Sequence, residues 1–425
     1  MKVTRTAQKI NLNLVMDVPA DVHKDMINLF SSEDGKQYTD ECRNHTTTIR
    51  KKLEKFQEIA WKHGKQSLRI VCEPTGQYHN KLLRTARRMG FFTNLVQGES
   101  VNKFRMVESN DTGKTDQKDP RVIHTLAKLN KVITHRMLNE DYLCLRKLGK
   151  LYDEADVSLV RGKGRVDKIL VELFCDYSFK KDFLYSNSGL ALVEKYGCNP
   201  YKIITTGYTR FHKAMKKKVS RIREKTLQRL WEDAQSSVLN EQPSGYIDIL
   251  EQQICILLDD VFRLEERKEK ISKQMIEILE RLRQDDPLIP PPTPHVLSEK
   301  NLARLLGETG PIGDFDSWRK LLRYGGLNIN MKQSGRYKGQ YKISKKGRAL
   351  LRKVLSQIIL PLITKKRLLG EYYHHKKDVE KQPGTKAMTA VMRKFLKKFY
   401  GWCRSGEPFN KVRFFKCESE LLKAA

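Results

Sequence analysis

With 425 residues, 39% of them hydrophobic and 31% charged, the chain is too long for one core and too apolar for a disordered tail, so two or three packed domains are expected. Lys and Arg number 82 against 50 Asp and Glu, and the resulting charge of +32 calls for a polyanionic partner, of which nucleic acid is the first choice. A membrane partner is excluded on sequence: the apolar run 354–363 is broken by Ser356, Gln357 and Pro361 and falls short of the ~20 residues a spanning helix needs.

No signal peptide is evident, because Asn11 and Asn13 interrupt the apolar stretch after Lys2 and Arg5. The 8 cysteines form no CxxC pair, which argues against a zinc ribbon or a secreted disulfide scaffold. The expected setting is cytoplasmic and nucleoid-associated.

In chain order, residues 10–16 alternate and then turn apolar, predicting a strand that ends at Asp17, with 27–30 as its hairpin partner. Leu53, Phe56, Ile59 and Ala60 predict a helix over 50–63. The β-rich run 68–72 ends at Glu73 and is punctuated by Pro74, Thr75 and Gly76. A basic helix over 78–89 and a strand over 91–96 complete an alternation that points to an α/β layer.

From about Asn139 the pattern becomes helical. Ile247, Leu250, Ile254, Leu257, Val261, Leu264, Ile271, Met275, Ile278 and Leu282 hold a 3-4 spacing with Lys268 as its break. This predicts a coiled-coil seam over 247–282, with a partner in cis or in another subunit. Pro287, Pro290, Pro291, Pro292 and Pro294 then form a stiff linker. Beyond it lie Lys332, Arg336, Lys338, Lys342, Lys345, Lys346, Arg348, Arg352 and Lys353, with no acid among them and with Tyr337 and Tyr341 interleaved. Cations for phosphates and rings for bases predict a nucleic-acid surface.

Four acids stand out against this basic background. Asp17 ends the first predicted strand, and Glu73 ends the fourth if one short strand goes unseen. Asp116 and Asp119 are three apart, which on a helix puts both carboxylates on one face. Singly, each reads as well as a turn former or a helix cap. Two carboxylates about 4 Å apart repel by roughly 4 kcal/mol at an effective dielectric near 20. Hard Mg²⁺ or Mn²⁺ would relieve that repulsion. The order strand-end Asp, strand-end Glu, helical Asp-x-x-Asp is the layout of an RNase H-like nuclease site.

These motifs resemble those of the DEDD-type insertion-sequence transposases, the family of the pilin-gene invertase and the bridge-RNA-guided recombinases. The resemblance rests on Met16-Asp17-Val18, on Val71-Cys72-Glu73-Pro74-Thr75-Gly76-Gln77-Tyr78 and on Lys114-Thr115-Asp116-Gln117-Lys118-Asp119. In the C-terminal part it rests on Phe315-Asp316-Ser317, Tyr324-Gly325-Gly326-Leu327, Gln333-Ser334-Gly335 and Ile343-Ser344-Lys345-Lys346-Gly347. The sequence departs from the family at Pro19 and Pro120, and lacks a recognisable Pro-Gly-hydrophobic-Gly hairpin before the serine.

The resemblance implies a RuvC-like α/β domain over 1–135, a helical middle with a coiled coil over 136–286, and a mainly α, basic C-terminal transposase domain with its tail over 287–425. It further implies Mg²⁺ held by Asp17, Glu73, Asp116 and Asp119, and Ser334 as the nucleophile that forms a phosphoserine link to DNA. Ser344 is the rival hydroxyl and reads as a helix cap. Implied partners are donor and target DNA, a structured guide RNA, and further copies of the chain (a dimer or tetramer) through the coiled coil. A RuvC-like hydrolytic nuclease and an inactive nucleic-acid binder are the alternatives.

Overall fold

Apolar residues continue on both sides of Asp17, and the first strand is accordingly longer than the sequence pattern predicts. The computed structural model describes residues 11–109, 118–330, 333–334, 337–339, 341–364, 369–410 and 414–415. The chain divides into two units, Met1–Met137 and Leu138–Ala425.

In the first unit, β1 (Val15–Val22), β2 (Met26–Glu33) and β3 (Lys36–Arg43) form an antiparallel meander. Helix α1 (Thr46–Lys62), strand β4 (Ser67–Cys72), helix α2 (His79–Arg88) and strand β5 (Phe92–Leu95) follow. Helices α3 (Gly98–Ser109) and α4 (Lys118–Lys128) and the short β6 (Ile133–Thr134) complete the unit. The sheet order is β3-β2-β1-β4-β5-β6, with β4 parallel to β1 and β5 parallel to β4.

Both faces of this sheet are covered, and the strands are correspondingly apolar. Met16, Val18, Ala20 and Val22 face the core shared with Ile49, Leu53, Phe56 and Ala60 of α1 and with Leu82, Leu83 and Ala86 of α2. Val71 of β4 lies on the other face, against Val101 of α3 and Val122, Ile123, Leu126 and Ala127 of α4. The predicted strand over 10–16 is corrected: Leu12–Leu14 is a 3-10 turn, and β1 runs five residues past Asp17. Beta-strand β3 is the unseen strand, a mostly polar and exposed edge whose sequence carries little alternation.

The second unit is mostly helical. Helices α5 (Glu140–Leu173), α6 (Asn187–Tyr196), α7 (Pro200–Thr206), α8 (Tyr208–Lys218), α9 (Glu224–Val238) and α10 (Ser244–Asp285) are followed by α11 (Glu299–Thr309) and α12 (Trp318–Tyr324). Four two-residue strands come next: β7 (Ile329–Asn330), β8 (Gln333–Ser334), β9 (Tyr337–Lys338) and β10 (Lys342–Ile343). Helices α13 (Ala349–Ile359), α14 (Gly370–His374) and α15 (Gly384–Ser405) complete the unit.

The apolar seam of α10 packs on α5 of the same chain. The pairing is antiparallel: Tyr142 bonds Asp286 at 2.8 Å, Lys268 pairs with Asp156 at 2.5 Å, and Lys163 pairs with Glu265 at 2.7 Å. Lys268, the break in the heptad pattern, is therefore an ion-pair position. Of the two partners the seam allowed, one in cis is present, namely α5.

Between these two long helices, α6 to α9 form a helical insertion around Phe174, Leu192, Ile203, Phe211, Leu227 and Leu230. At the other end of the pair, Tyr142, Leu145, Met275 and Leu282 join α11, α13 and α15 in one core. Packing is thus continuous across the proline-rich connection where a domain boundary was expected. Among the described residues no helix is long and apolar enough to cross a membrane, and the described cysteines are all free.

Candidate active site

The β1–β4 register places Asp17 beside Arg69, and strand alternation turns both toward α4. The guanidinium embraces the carboxylate, with Nε to Oδ1 at 2.5 Å and Nη2 to Oδ2 at 2.7 Å, and also donates to the Ala127 carbonyl at 3.0 Å. Both side chains are buried, at 3% and 7% exposure. Asp17 therefore neither ends its strand nor faces an open site; it neutralises a buried arginine. Glu73 lies four residues beyond Arg69, about 13 Å along the sheet at a strand rise near 3.3 Å.

The acid that does stand beside Glu73 is Asp21, which the sequence reading passed over. Paired rungs run to Ala20 and Cys72, and Asp21 and Glu73 each follow that last rung by one residue. Both carboxylates act on the intervening thiol: burial first, then Asp21 and Glu73, push Cys72 up to about 12. Asp21 is 14% exposed and bonds His23 at 3.2 Å, while Glu73 is half-buried.

Helix α4 runs antiparallel to β1. Lys128 pairs with Glu33 at 3.1 Å beside the start of β1, and Arg121 lies over the Phe30 ring at 5.8 Å, further toward its end. Its N-terminus therefore delivers Asp119 to the edge of the sheet that carries Asp21 and Glu73. Asp119 is buried and bonded to Arg105 of α3 at 2.5 Å. Asp116 lies outside the described residues. Among the described residues no three ligating side chains stand close enough to hold an ion, and the Asp119 carboxylate is taken by Arg105.

Gly98, the first residue of α3, backs onto this edge. A Cβ there would collide with Glu73 Oε1 and lie 3.0 Å from Cδ. A Gly98→Ala variant should keep its stability within about 1 kcal/mol, helix propensity favouring alanine. It should lose roughly tenfold or more in cleavage, because the carboxylate must move. Wild-type cleavage by that variant in a nicking assay would show that the carboxylate tolerates the move.

In the second unit, β7 pairs with β10 as a hairpin and β8 pairs with β9, both antiparallel, with Ser334 opposite Tyr337. The side chains of Ser334 and Lys338 lie outside the described residues, as do Lys332 and Arg336. The base of the hairpin is fixed by backbone bonds from Ser344 to Asn328 at 2.8 Å and from Lys345 to Gly326 at 3.0 Å. Gly326, at φ +66°, would with a Cβ meet the Lys345 carbonyl carbon at 2.9 Å, which accounts for the second glycine of Tyr-Gly-Gly-Leu.

One C-terminal reading is corrected here, and two of the basic residues take partners within the fold. Ser344 is not a helix cap: α13 begins at Ala349, and the Ser344 hydroxyl bonds Asn328 Oδ1 at 2.6 Å. Arg348 is held by the buried Glu308 carboxylate at 2.7 Å and 3.2 Å. Arg352 donates to the Gly325 carbonyl at 2.9 Å. Those two arginines brace the hairpin from inside, whereas Lys342, Lys345 and Lys346 are exposed. Arg348→Ala would leave Glu308 buried without its ion partner. The expected loss is about 3 kcal/mol in urea unfolding, the low end for a broken buried pair because Arg348 is partly exposed.

Residues 18–175 match the family model for DEDD transposases of the IS110 type, and residues 296–374 match the Transposase IS116/IS110/IS902 family. No curated protein matches the chain. The first matched segment begins one residue after Asp17 and includes Asp21, Glu73, Asp116 and Asp119, while the second includes Ser334. The chain thus carries an IS110-type DEDD transposase domain and an IS116/IS110/IS902 transposase domain, and is a DNA transposase of an insertion sequence.

Proposed function

We propose that this transposase cuts and rejoins DNA through a phosphoserine link made by Ser334, with Asp21 rather than Asp17 as the first acid of its catalytic set. The observation that carries this reading is the end of the sheet beyond the Ala20–Cys72 rung: Asp21 and Glu73 each follow that rung by one residue, with Asp119 delivered by the N-terminus of α4. The order β3-β2-β1-β4-β5 supports an RNase H-like assignment for the first unit.

Asp21, Glu73 and Asp119, with Asp116, would hold Mg²⁺ or Mn²⁺. The donors suit a hard cation, and the missing side chain at Gly98 leaves Glu73 the room it occupies. Asp119 would first have to leave Arg105. Bound there, the ion would supply charge stabilisation for the attacking and leaving oxygens of a phosphodiester.

The Ser334 hydroxyl oxygen bonds to phosphorus, and the scissile P–O bond breaks. The departing deoxyribose oxygen takes up the proton that serine gives to a nearby base. One phosphoester replaces another, so the reverse step can rejoin strands without an energy source. Ser334 lies on β8, in the same basic stretch of sequence as the exposed Lys342, Lys345 and Lys346, which suits a group that must reach a DNA backbone.

A structured guide RNA and a dimer or tetramer belong to the same proposal. Because α5 fills the α10 seam, subunits would meet through other faces. The test is a DNA–protein adduct that survives denaturation, requires Mg²⁺ and maps to the peptide carrying Ser334. Nicked DNA with no adduct would favour water as the nucleophile.

A further inference from the structure

Helix α15 buries Val391, Phe395, Leu396 and Phe399 in the core of the second unit. Its opposite face carries Arg393, Lys394, Lys397 and Lys398, at i, i+1, i+4 and i+5. These four line a cleft of about 540 Å³ whose other walls include Trp318 of α12 and Tyr372 of α14. Trp318, Lys397 and Lys398 also line a second cleft of about 350 Å³. The indole is therefore a wall common to both spaces.

Cations already lie over these rings. Lys394 Nζ is 4.2 Å from the Tyr372 centroid, and Arg319 and Lys397 lie 4.6 Å and 5.1 Å from that of Trp318. The acid in the larger cleft, Glu380, is bonded to Lys376. Arg393 Nε is buried with no hydrogen-bond partner. The α15 wall lies beyond both family-matched segments, which end at 175 and 374. It also lies away in sequence from the basic stretch 332–353.

We propose that this cleft is a second nucleic-acid site, which takes an unstacked nucleotide of a single strand, its base against Trp318 or Tyr372 and its phosphates on the α15 cations. Flat rings accept any base, and the lysines and arginine follow the backbone, so recognition would be independent of sequence. A volume of this size suits one or two nucleotides and excludes a duplex. An acidic peptide would use the cations but gain little from the rings.

Binding of a labelled 12-nucleotide strand is measured by anisotropy in EDTA, so that the outcome does not depend on the carboxylate site. The same backbone carrying abasic positions is the comparison, and both are made in DNA and in RNA. The intact strand should bind about tenfold tighter than the abasic one. Trp318→Leu should remove that preference and Trp318→Phe should retain it. Tyr372→Leu should reduce it, which covers the case in which Trp318→Leu fails to fold. Arg393→Gln should weaken intact and abasic strands alike and lower the salt slope by about one.

A Trp318-dependent preference in either polymer supports the site and identifies which strand uses it. No preference in the wild type, or its survival in a folded Trp318→Leu protein, overturns the proposal. Competition by polyglutamate as strong as by DNA also overturns it.

Discussion

Asp17→Ala should cost the first unit about 3–5 kcal/mol, whereas Asp21→Asn should leave stability within about 1 kcal/mol and lower Mg²⁺-dependent cleavage at least ~100-fold. The two aspartates lie four residues apart on one face of one strand, and their surroundings separate them. Asp17 is the counter-ion of Arg69, and removing it strands a guanidinium that is 3% exposed and that keeps, among the described residues, only the Ala127 carbonyl. Asp21 sits beside Glu73 where the sheet ends, and asparagine there keeps the shape while removing a charge. Urea unfolding and a nicking assay on the same preparations separate the two effects. If folded Asp17→Asn were inactive while Asp21→Asn cut normally, the reassignment would fail.

On the proposed mechanism, Ser334→Ala should abolish the covalent adduct altogether, because it removes the hydroxyl oxygen proposed to bond to phosphorus. Ser344→Ala should retain the adduct and lose about 1 kcal/mol, since its hydroxyl bonds Asn328 at the base of the hairpin. The comparison distinguishes a nucleophile from a brace. Denaturing gels with end-labelled DNA read the adduct, and unfolding curves read the brace. An adduct surviving in Ser334→Ala would move the nucleophile elsewhere; nicking that persists at full rate without adduct would leave water as the attacking group.

Periodicity predicted much of the architecture. Leu53, Phe56 and Ala60 marked α1, the runs at 68–72 and 91–96 marked β4 and β5, and the α10 seam was legible because burial on one side of a helix repeats every three to four residues. Glu73 was legible as a strand end because Pro74, Thr75 and Gly76 stop the strand. Beta-strand β3 was not, since a polar edge strand has no apolar alternation to read. The choice between Asp17 and Asp21 was also hidden. A strand buried on both faces shows no break where the site begins, and nothing local tells a buried counter-ion from a carboxylate at the strand's end.

The basic, two-ended transposase character and the residue types of its chemistry follow from the amino-acid order, because charge, spacing and punctuation are local properties. Long-range pairing settled the rest. The β1–β4 register gave Arg69 to Asp17, α5 of the same chain packed on the α10 seam, and Glu308 took Arg348 from the basic stretch. Each of these depends on which buried group finds a partner dozens to more than a hundred residues away, and desolvation imposes that choice only once the chain has folded.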